Sequence, residues 1–365
     1  MDSDVVLWIV VVTALAFDFT NGFHDTANAV ATSISTRAMA PRVAVTIAAA
    51  LNFVGAFLSL AVAATIASGI VDANLITPQI VFAGLIGAIA WNLATWYFGL
   101  PSSSSHALIG GVVGAALAAE GTKAVYGDGL LEKVVIPALV APVLAMVAAG
   151  IAILIIYRIV GRQHPGVVSR GFRLGQIISG SLFSLSHGTN DAQKTMGIMF
   201  LALVANGNLQ PTDDVPTWVI VSAATAIALG TYVGGWRIIR TMGSRIIKMD
   251  PAQGFAAQGV GAAVILSASH VGFPLSTTHV MSGAIMGAGA AKRFSAVRWG
   301  VAGNIVVAWV LTLPAAAIVG GATYGVTRLF GTGPAGPVVV SLALLVALLW
   351  ALARIVTGRT VPAEA

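Results

Sequence analysis

Long apolar runs alternate with short polar connections along the whole chain. Val43–Val71, Val134–Tyr157, Val215–Trp236, Trp299–Thr327 and Leu329–Ala353 contain no Asp, Glu, Lys or Arg. Each reaches the roughly 20 residues that an α-helix needs to cross a bilayer. Gln79–Ala119 and Pro251–Ala291 are about twice that length, and each is interrupted midway by Gly, Pro and a cluster of hydroxyl residues. That pattern predicts two helical arms meeting at a break. Val5–Thr36 and Leu174–Ala205 are apolar except near the middle, where Asp appears. The whole reads as an all-α integral membrane protein of about 10–12 transmembrane helices or hairpin arms. Val5–Phe17 follows Asp2 and Asp4 rather than basic residues, so it reads as the start of the first span and not as a cleavable signal.

The pattern also repeats. Gly22-Phe23-His24-Asp25 aligns with Gly188-Thr189-Asn190-Asp191, and Gly99-Leu100-Pro101-Ser102-Ser103-Ser104-Ser105-His106 aligns with Gly272-Phe273-Pro274-Leu275-Ser276-Thr277-Thr278-His279. Gly110 and Gly114 then match Gly283 and Gly287. Two halves follow: a first repeat over residues 1–160, a basic linker at 161–173, a second repeat over 174–328, and an additional C-terminal transmembrane helix and tail over 329–365. The final apolar run lies outside the repeat and has no functional reading.

Composition agrees with a lipid environment. Hydrophobic residues make up 57% of the 365 and charged residues 9%, against roughly 25% charged in soluble domains. The 41 glycines suit closely packed membrane helices. With no cysteine, disulfides and thiolate metal sites are excluded. The net charge of +6 sits in short connections, so it marks orientation rather than nucleic-acid binding. Arg37–Arg42, Arg158–Arg173, Arg237–Lys248, Lys292–Arg298 and the tail residues Arg354 and Arg359 face the cytoplasm by the positive-inside rule. Asp72, Asp213, Asp214 and the N-terminus then fall outside. The two repeats therefore run in opposite directions, an arrangement many secondary transporters share, with the substrate at the midplane where broken helices meet.

Charges inside a membrane cost roughly 2.5–3.5 kcal/mol on insertion scales and are functional candidates by default. Asp25 and Asp191 are the leading ones. On a helix, Asp18, Asn21, Asp25 and Asn28 share one stripe; Ser184, His187, Asp191 and Lys194 match them in the second half. Ser102–Ser105 and Ser276–Thr278 follow prolines and open apolar helical runs, so they cap helix N-termini. Exposed amides and the helix dipole there favour an anion, and clustered hydroxyls satisfy the several oxygens of a tetrahedral oxyanion. Ordinary capping uses the same groups and is the bland alternative. Ser103, Ser104, Ser105, Ser276, Thr277, Thr278 and Lys194 form the expected anion site. Lys194 pairs with Asp191, contacts the anion, or does both.

Two carboxylates beside an oxyanion repel it. The anion binds once they are neutralised, by protons on Asp25 and Asp191 or by sodium held there with Asn21, Asn28, Asn190 and Gln193. That requirement is itself a coupling device for symport. His24, His106, His187 and His279 lie in the motifs as supporting residues of a hydrated cavity. Their spacing fits no common zinc pattern, so no metal is firmly assigned; sodium at Asp25 and Asp191 stays open as the alternative to protons. No cofactor is expected besides the coupling ion, H+ or Na+.

Asn21-Gly22-Phe23-His24-Asp25-Thr26-Ala27-Asn28-Ala29 and His187-Gly188-Thr189-Asn190-Asp191-Ala192-Gln193-Lys194-Thr195-Met196-Gly197 resemble the two signatures of the PiT family of inorganic phosphate transporters. Pro-Ser-Ser-Ser-Ser-His and Pro-Leu-Ser-Thr-Thr-His match as well, and the resemblance runs from Val5 to Thr327. It implies an inverted-repeat transporter, a homodimer in the plasma (inner) membrane, with phosphate and coupling ions held by these signatures. His24 stands where many members have Asn, a form similar to the bacterial low-affinity branch. That branch implies proton coupling and transport of phosphate alone or with a divalent metal.

The competing readings are a sulfate or other oxyanion transporter of the same fold, an anion channel, and an intramembrane hydrolase. Phosphate can donate a hydrogen bond to a carboxylate and sulfate at neutral pH cannot, so Asp25 and Asp191 favour phosphate. A channel would pass current without accumulation. The hydroxyls occur in repeated capping clusters rather than as one activated Ser, which argues against an enzyme.

Overall fold

The computed structural model describes residues 2–356. It is a bundle of helices: α1 (Asp2–Ser35), α2 (Pro41–Gly55), α3 (Ala61–Ser68), α4 (Pro78–Phe98), α5 (Ser104–Glu120), α6 (Gly127–Leu130), α7 (Ile136–Val160), α8 (Pro165–Ala205), α9 (Thr217–Val233), α10 (Trp236–Arg240), α11 (Pro251–His270), α12 (Thr277–Lys292), α13 (Trp299–Arg328) and α14 (Ala335–Val356). A π turn at Leu131–Val135 carries α6 into α7. Among the described residues, five helices are long and apolar enough to cross a membrane singly, and six if a bent pair counts as one span. α8 has the length, at 41 residues, but the polar motif at its centre dilutes its apolar character.

The two long runs form the expected hairpins. α4 stops at Gly99, whose φ of +65° suits the absence of a Cβ, and α5 starts at Ser104. In the second half α11 ends at His270, Gly272 has φ +80°, and α12 starts at Thr277. Ser103 and Ser276 are the N-caps, their side chains accepting from the amides of His106 and His279.

Two runs read as unbroken spans are not. Val43–Val71 divides at residues 56–60 into α2 and α3. The divide is held from inside and outside the run: Ser59 accepts from the Ala61 amide at 3.2 Å, and Gln193 on α8 accepts from the Val62 and Ala63 amides at 2.9 and 3.2 Å, completing the start of α3. Val215–Trp236 bends by 60° between α9 and the helical stretch Trp236–Arg245, at Gly234 and Gly235. The basic linker 161–173 is mostly the opening of α8, leaving only a short turn before Pro165. The last helix begins at Ala335, and Arg359 lies outside the described residues.

The halves interlock. α5 packs on α13 and α12 on α7. Glycines set both contacts: Gly110 and Gly114 lie against the backbones of Leu313 and Ala317, while Gly283 and Gly287 lie against Pro142 and Met146. The α1–α9 crossing closes on Gly22 and Gly230, and the α2–α8 crossing on Gly55 and Gly188. Small residues let membrane helices approach this closely. Matching motif positions thus perform matching contacts, and the two Asp-bearing helices α1 and α8 pack against each other.

Candidate functional site

The polar stripes of α1 and α8 meet the starts of α5 and α12 in one cluster. The expected hydroxyls, carboxylates and Lys194 are all at most 3% exposed, so the site is occluded. Within it the three hydroxyl positions of each hairpin have different tasks. Ser103 and Ser276 spend their oxygens on capping. Ser104 and Thr277 donate to the carboxylates: Ser104 Oγ lies 2.7 Å from Asp25 Oδ2, and Thr277 Oγ1 lies 3.2 Å from Asp191 Oδ2 and 3.4 Å from Asp25 Oδ2. Ser105 and Thr278 meet the opposite half. Ser105 accepts from Lys194, and Thr278 accepts from Asn28 at 2.9 Å.

Asp25 is further held by His24 Nδ1 at 2.7 Å, and His24 Nε2 reaches Thr95 Oγ1 at 3.0 Å. Ser102 also donates to Thr95. Asn21 Oδ1 lies 2.6 Å from Ser104 Oγ and competes with Asp25 for its single proton, while Asn21 Nδ2 contacts Asp18. The three ammonium protons of Lys194 match three acceptors, Asp191 Oδ1, Ser105 Oγ and the Leu275 carbonyl. Lys194 is thus committed to these three acceptors.

On the second carboxylate, geometry fixes a tautomer. Thr231 donates to the Ile227 carbonyl at 2.8 Å and so accepts from Asn52 Nδ2 at 2.7 Å. Asn52 Oδ1 therefore faces His187 Nδ1, at 3.2 Å, as an acceptor. With its proton on Nδ1, a neutral His187 turns the Nε2 lone pair toward Asp191 Oδ2, 3.0 Å away. Two acceptors face each other unless a proton or cation stands between them. Asp25, His187 and Asp191 also offer ligand atoms lying within 4.8 Å of one another.

Two expected ion ligands bond neighbouring elements. Gln193 caps α3, and its amide nitrogen donates to the Thr189 carbonyl. Asn190 donates to Ser269 at 2.8 Å and the Phe273 carbonyl at 3.2 Å, which ties α8 to the second hairpin. The repeat alignment could not foretell these bonds; they engage the Gln193 amide on both sides but only Nδ2 of Asn190, whose Oδ1 is buried without a hydrogen-bond partner among the described residues. His106 and His279 contact each other edge to face at 4.7 Å, and His279 lies 4.0 Å from the Trp309 ring. They join the two hairpins rather than touch a carboxylate. Asn52, Thr95 and Thr231 are additional members of the network. Their signal was available, as isolated buried polar residues within apolar runs.

A family model described as "Phosphate transporter family" matches residues 21–167 and 162–320. A Mycobacterium tuberculosis protein named "Probable low-affinity inorganic phosphate transporter" is 57% identical over 330 residues, covering 90% of this chain and 79% of that protein. A Bacillus subtilis protein of the same name is 46% identical over 327 residues, 89% of this chain and 98% of that one. Among solved structures, one described as "The sodium-dependent phosphate transporter" superposes with a TM-score of 0.81 at 26% identity, covering 89% of this chain and 99% of that chain.

Proposed function

The chain belongs to the phosphate transporter family, and from that premise we propose that it carries inorganic phosphate across the plasma membrane by cation-coupled symport, with protons as the coupling ion. It is a multi-pass membrane transporter and not an enzyme. The observation that carries the reading is the meeting of Asp25 and Asp191 with hydroxyls from both hairpins in one buried cluster. A dianion entering here meets carboxylates that repel it until they are neutralised.

Protons are favoured because His187 and Asp191 present facing acceptors that one proton joins. Ser104, Ser105, Thr277, Thr278 and Lys194 then bind the phosphate oxygens, Ser103 and Ser276 hold the helix starts in place, and Asp25 and Asp191 carry the coupling charge with Asn21 and Asn28 beside them. The halves 1–160 and 174–328 act as inverted repeats, with the N-terminus outside, the C-terminus cytoplasmic, and two chains forming a homodimer. Sodium is the second reading. The convergence of Asp25, His187 and Asp191 suits a cation, and the solved relative is described as sodium-dependent.

Reconstituted liposomes test this directly. Radiolabelled phosphate should accumulate under an inward proton gradient with sodium absent. Accumulation that needs sodium would replace the proton reading with the second one. No accumulation under either gradient would overturn symport.

A further inference from the structure

A second polar site lies away from the carboxylate cluster. A cavity of about 400 Å³ opens beside the first hairpin turn, lined by Tyr97, Gly99, Trp236, Arg237, Arg240 and Arg245 among others. Three guanidinium groups border it and no acidic residue does. Among the described residues, neither Arg240 nor Arg245 has an ion-pair partner. Arg237 is held in place: its guanidinium donates to the Tyr97 carbonyl and lies over the Trp96 and Tyr97 rings at 5.4 and 4.8 Å. The rim residues Tyr97, Phe98 and Trp236 are exposed, as amphipathic aromatics are at a membrane–water boundary. Gathered cations without a counter-charge among the described residues, beside exposed rings, suit an anionic headgroup whose acyl chains lie on the rings. The guanidinium fork matches phosphate oxygens two at a time.

We propose that this cavity binds a phosphate group, presented by an anionic lipid. The site touches the hairpin turn at two points. Arg237 bonds the Tyr97 carbonyl, and Thr241 donates to the Gly99 carbonyl at 2.8 Å. The same turn leads directly into Ser102–Ser105. A bound headgroup bridging Arg237, Arg240 and Arg245 therefore ties α10 to the hairpin and steadies the first hydroxyl cluster. The lipid acts on the transport machinery without being transported.

Native mass spectrometry of the detergent-purified protein, titrated with phosphatidylglycerol, phosphatidylcholine or inorganic phosphate, tests the assignment. Arg240→Gln/Arg245→Gln should weaken the first phosphatidylglycerol adduct about tenfold or more, leave phosphatidylcholine adducts alone, and keep the wild-type melting profile. Arg240→Lys/Arg245→Lys should fall between, because charge remains and the fork is lost. If instead a second inorganic phosphate binds and vanishes in the Gln variant while the lipid preference is unchanged, the phosphate-group site stands with the free ion as its source. Equal lipid and phosphate binding by wild type and Gln variant overturns the proposal. Asp25→Asn should keep the lipid adduct while losing transport, so failure of the symport reading and failure of this one are told apart.

Discussion

Asn28 and Lys194 hold the same position in the two halves, three residues after Asp25 and Asp191, and each reaches across to the hydroxyls of the opposite hairpin. Asn28 Nδ2 meets Thr278 Oγ1 at 2.9 Å and Lys194 Nζ meets Ser105 Oγ at 2.5 Å. The contacts correspond but the charges do not. The single buried cation of the cluster sits on the α8 side, next to Asp191.

Lys194→Met leaves Asp191 buried without its cation. Losing one partner of such a pair costs about 3–5 kcal/mol, so thermal unfolding in detergent should drop sharply and uptake should vanish. Asp191→Asn/Lys194→Met should regain most of the stability and none of the uptake. Recovery of uptake in the double variant would remove Lys194 and Asp191 from the transport cycle.

The hydroxyls should divide by task. Ser103→Ala and Ser276→Ala remove a helix cap, worth about 1 kcal/mol of stability, with KM for phosphate little changed. Ser104→Ala and Thr277→Val leave a buried carboxylate short of a donor, at about 1–3 kcal/mol. They should raise KM about tenfold or more. Paired uptake and melting measurements separate the two classes, and an equal effect in both would refute the division.

Asn52 should act on coupling through His187, besides its bond to Thr231. Asn52→Leu frees the imidazole to place its proton on either nitrogen, so gradient-driven uptake should fall about tenfold, the value of one buried hydrogen bond. Uptake by the parent protein should rise as external pH falls, and the variant should flatten that profile. Asn52→Gln, which keeps an amide, should restore part of the slope. An unchanged pH profile in Asn52→Leu would exclude the tautomer from the coupling step.

Glycine substitutions should separate by their surroundings. A Cβ at Gly114 or Gly287 runs into the backbone of Ala317 or Met146, whereas Gly300 and Gly303 face open space. Gly114→Val and Gly287→Val should destabilise by at least the 1–3 kcal/mol typical of overpacking. Gly300→Ala and Gly303→Ala should melt like the parent.

Much of this was readable from residues alone, for a physical reason. A carboxylate inside a bilayer is costly enough that Asp25 and Asp191 declare themselves, and Pro and Gly beside hydroxyls mark where the hairpins break. Local chemistry announces such features. The division of Val43–Val71 has only a faint local signal in Ser59, because the rest of its cap arrives from Gln193, far away in sequence. Gln193 and Asn190 were expected as ion ligands from their place in the motif, and only the packing of α8 on α3 and α11 reveals the protein partners that their amides also take. Asn52 and Thr231 looked like single polar residues in apolar runs, since their significance depends on a chain of bonds joining α2, α8 and α9.

The exchanged grip of α5 on α13 and of α12 on α7 bears on how the protein is made. A ribosome delivers α5 well before α13 exists, so the emerging first half enters the bilayer with its glycine face still unmatched. It must wait there, shielded by lipid or by the insertion machinery, until α13 is threaded in. By the same logic the two halves, produced as separate polypeptides, carry complementary surfaces and would find each other in the membrane.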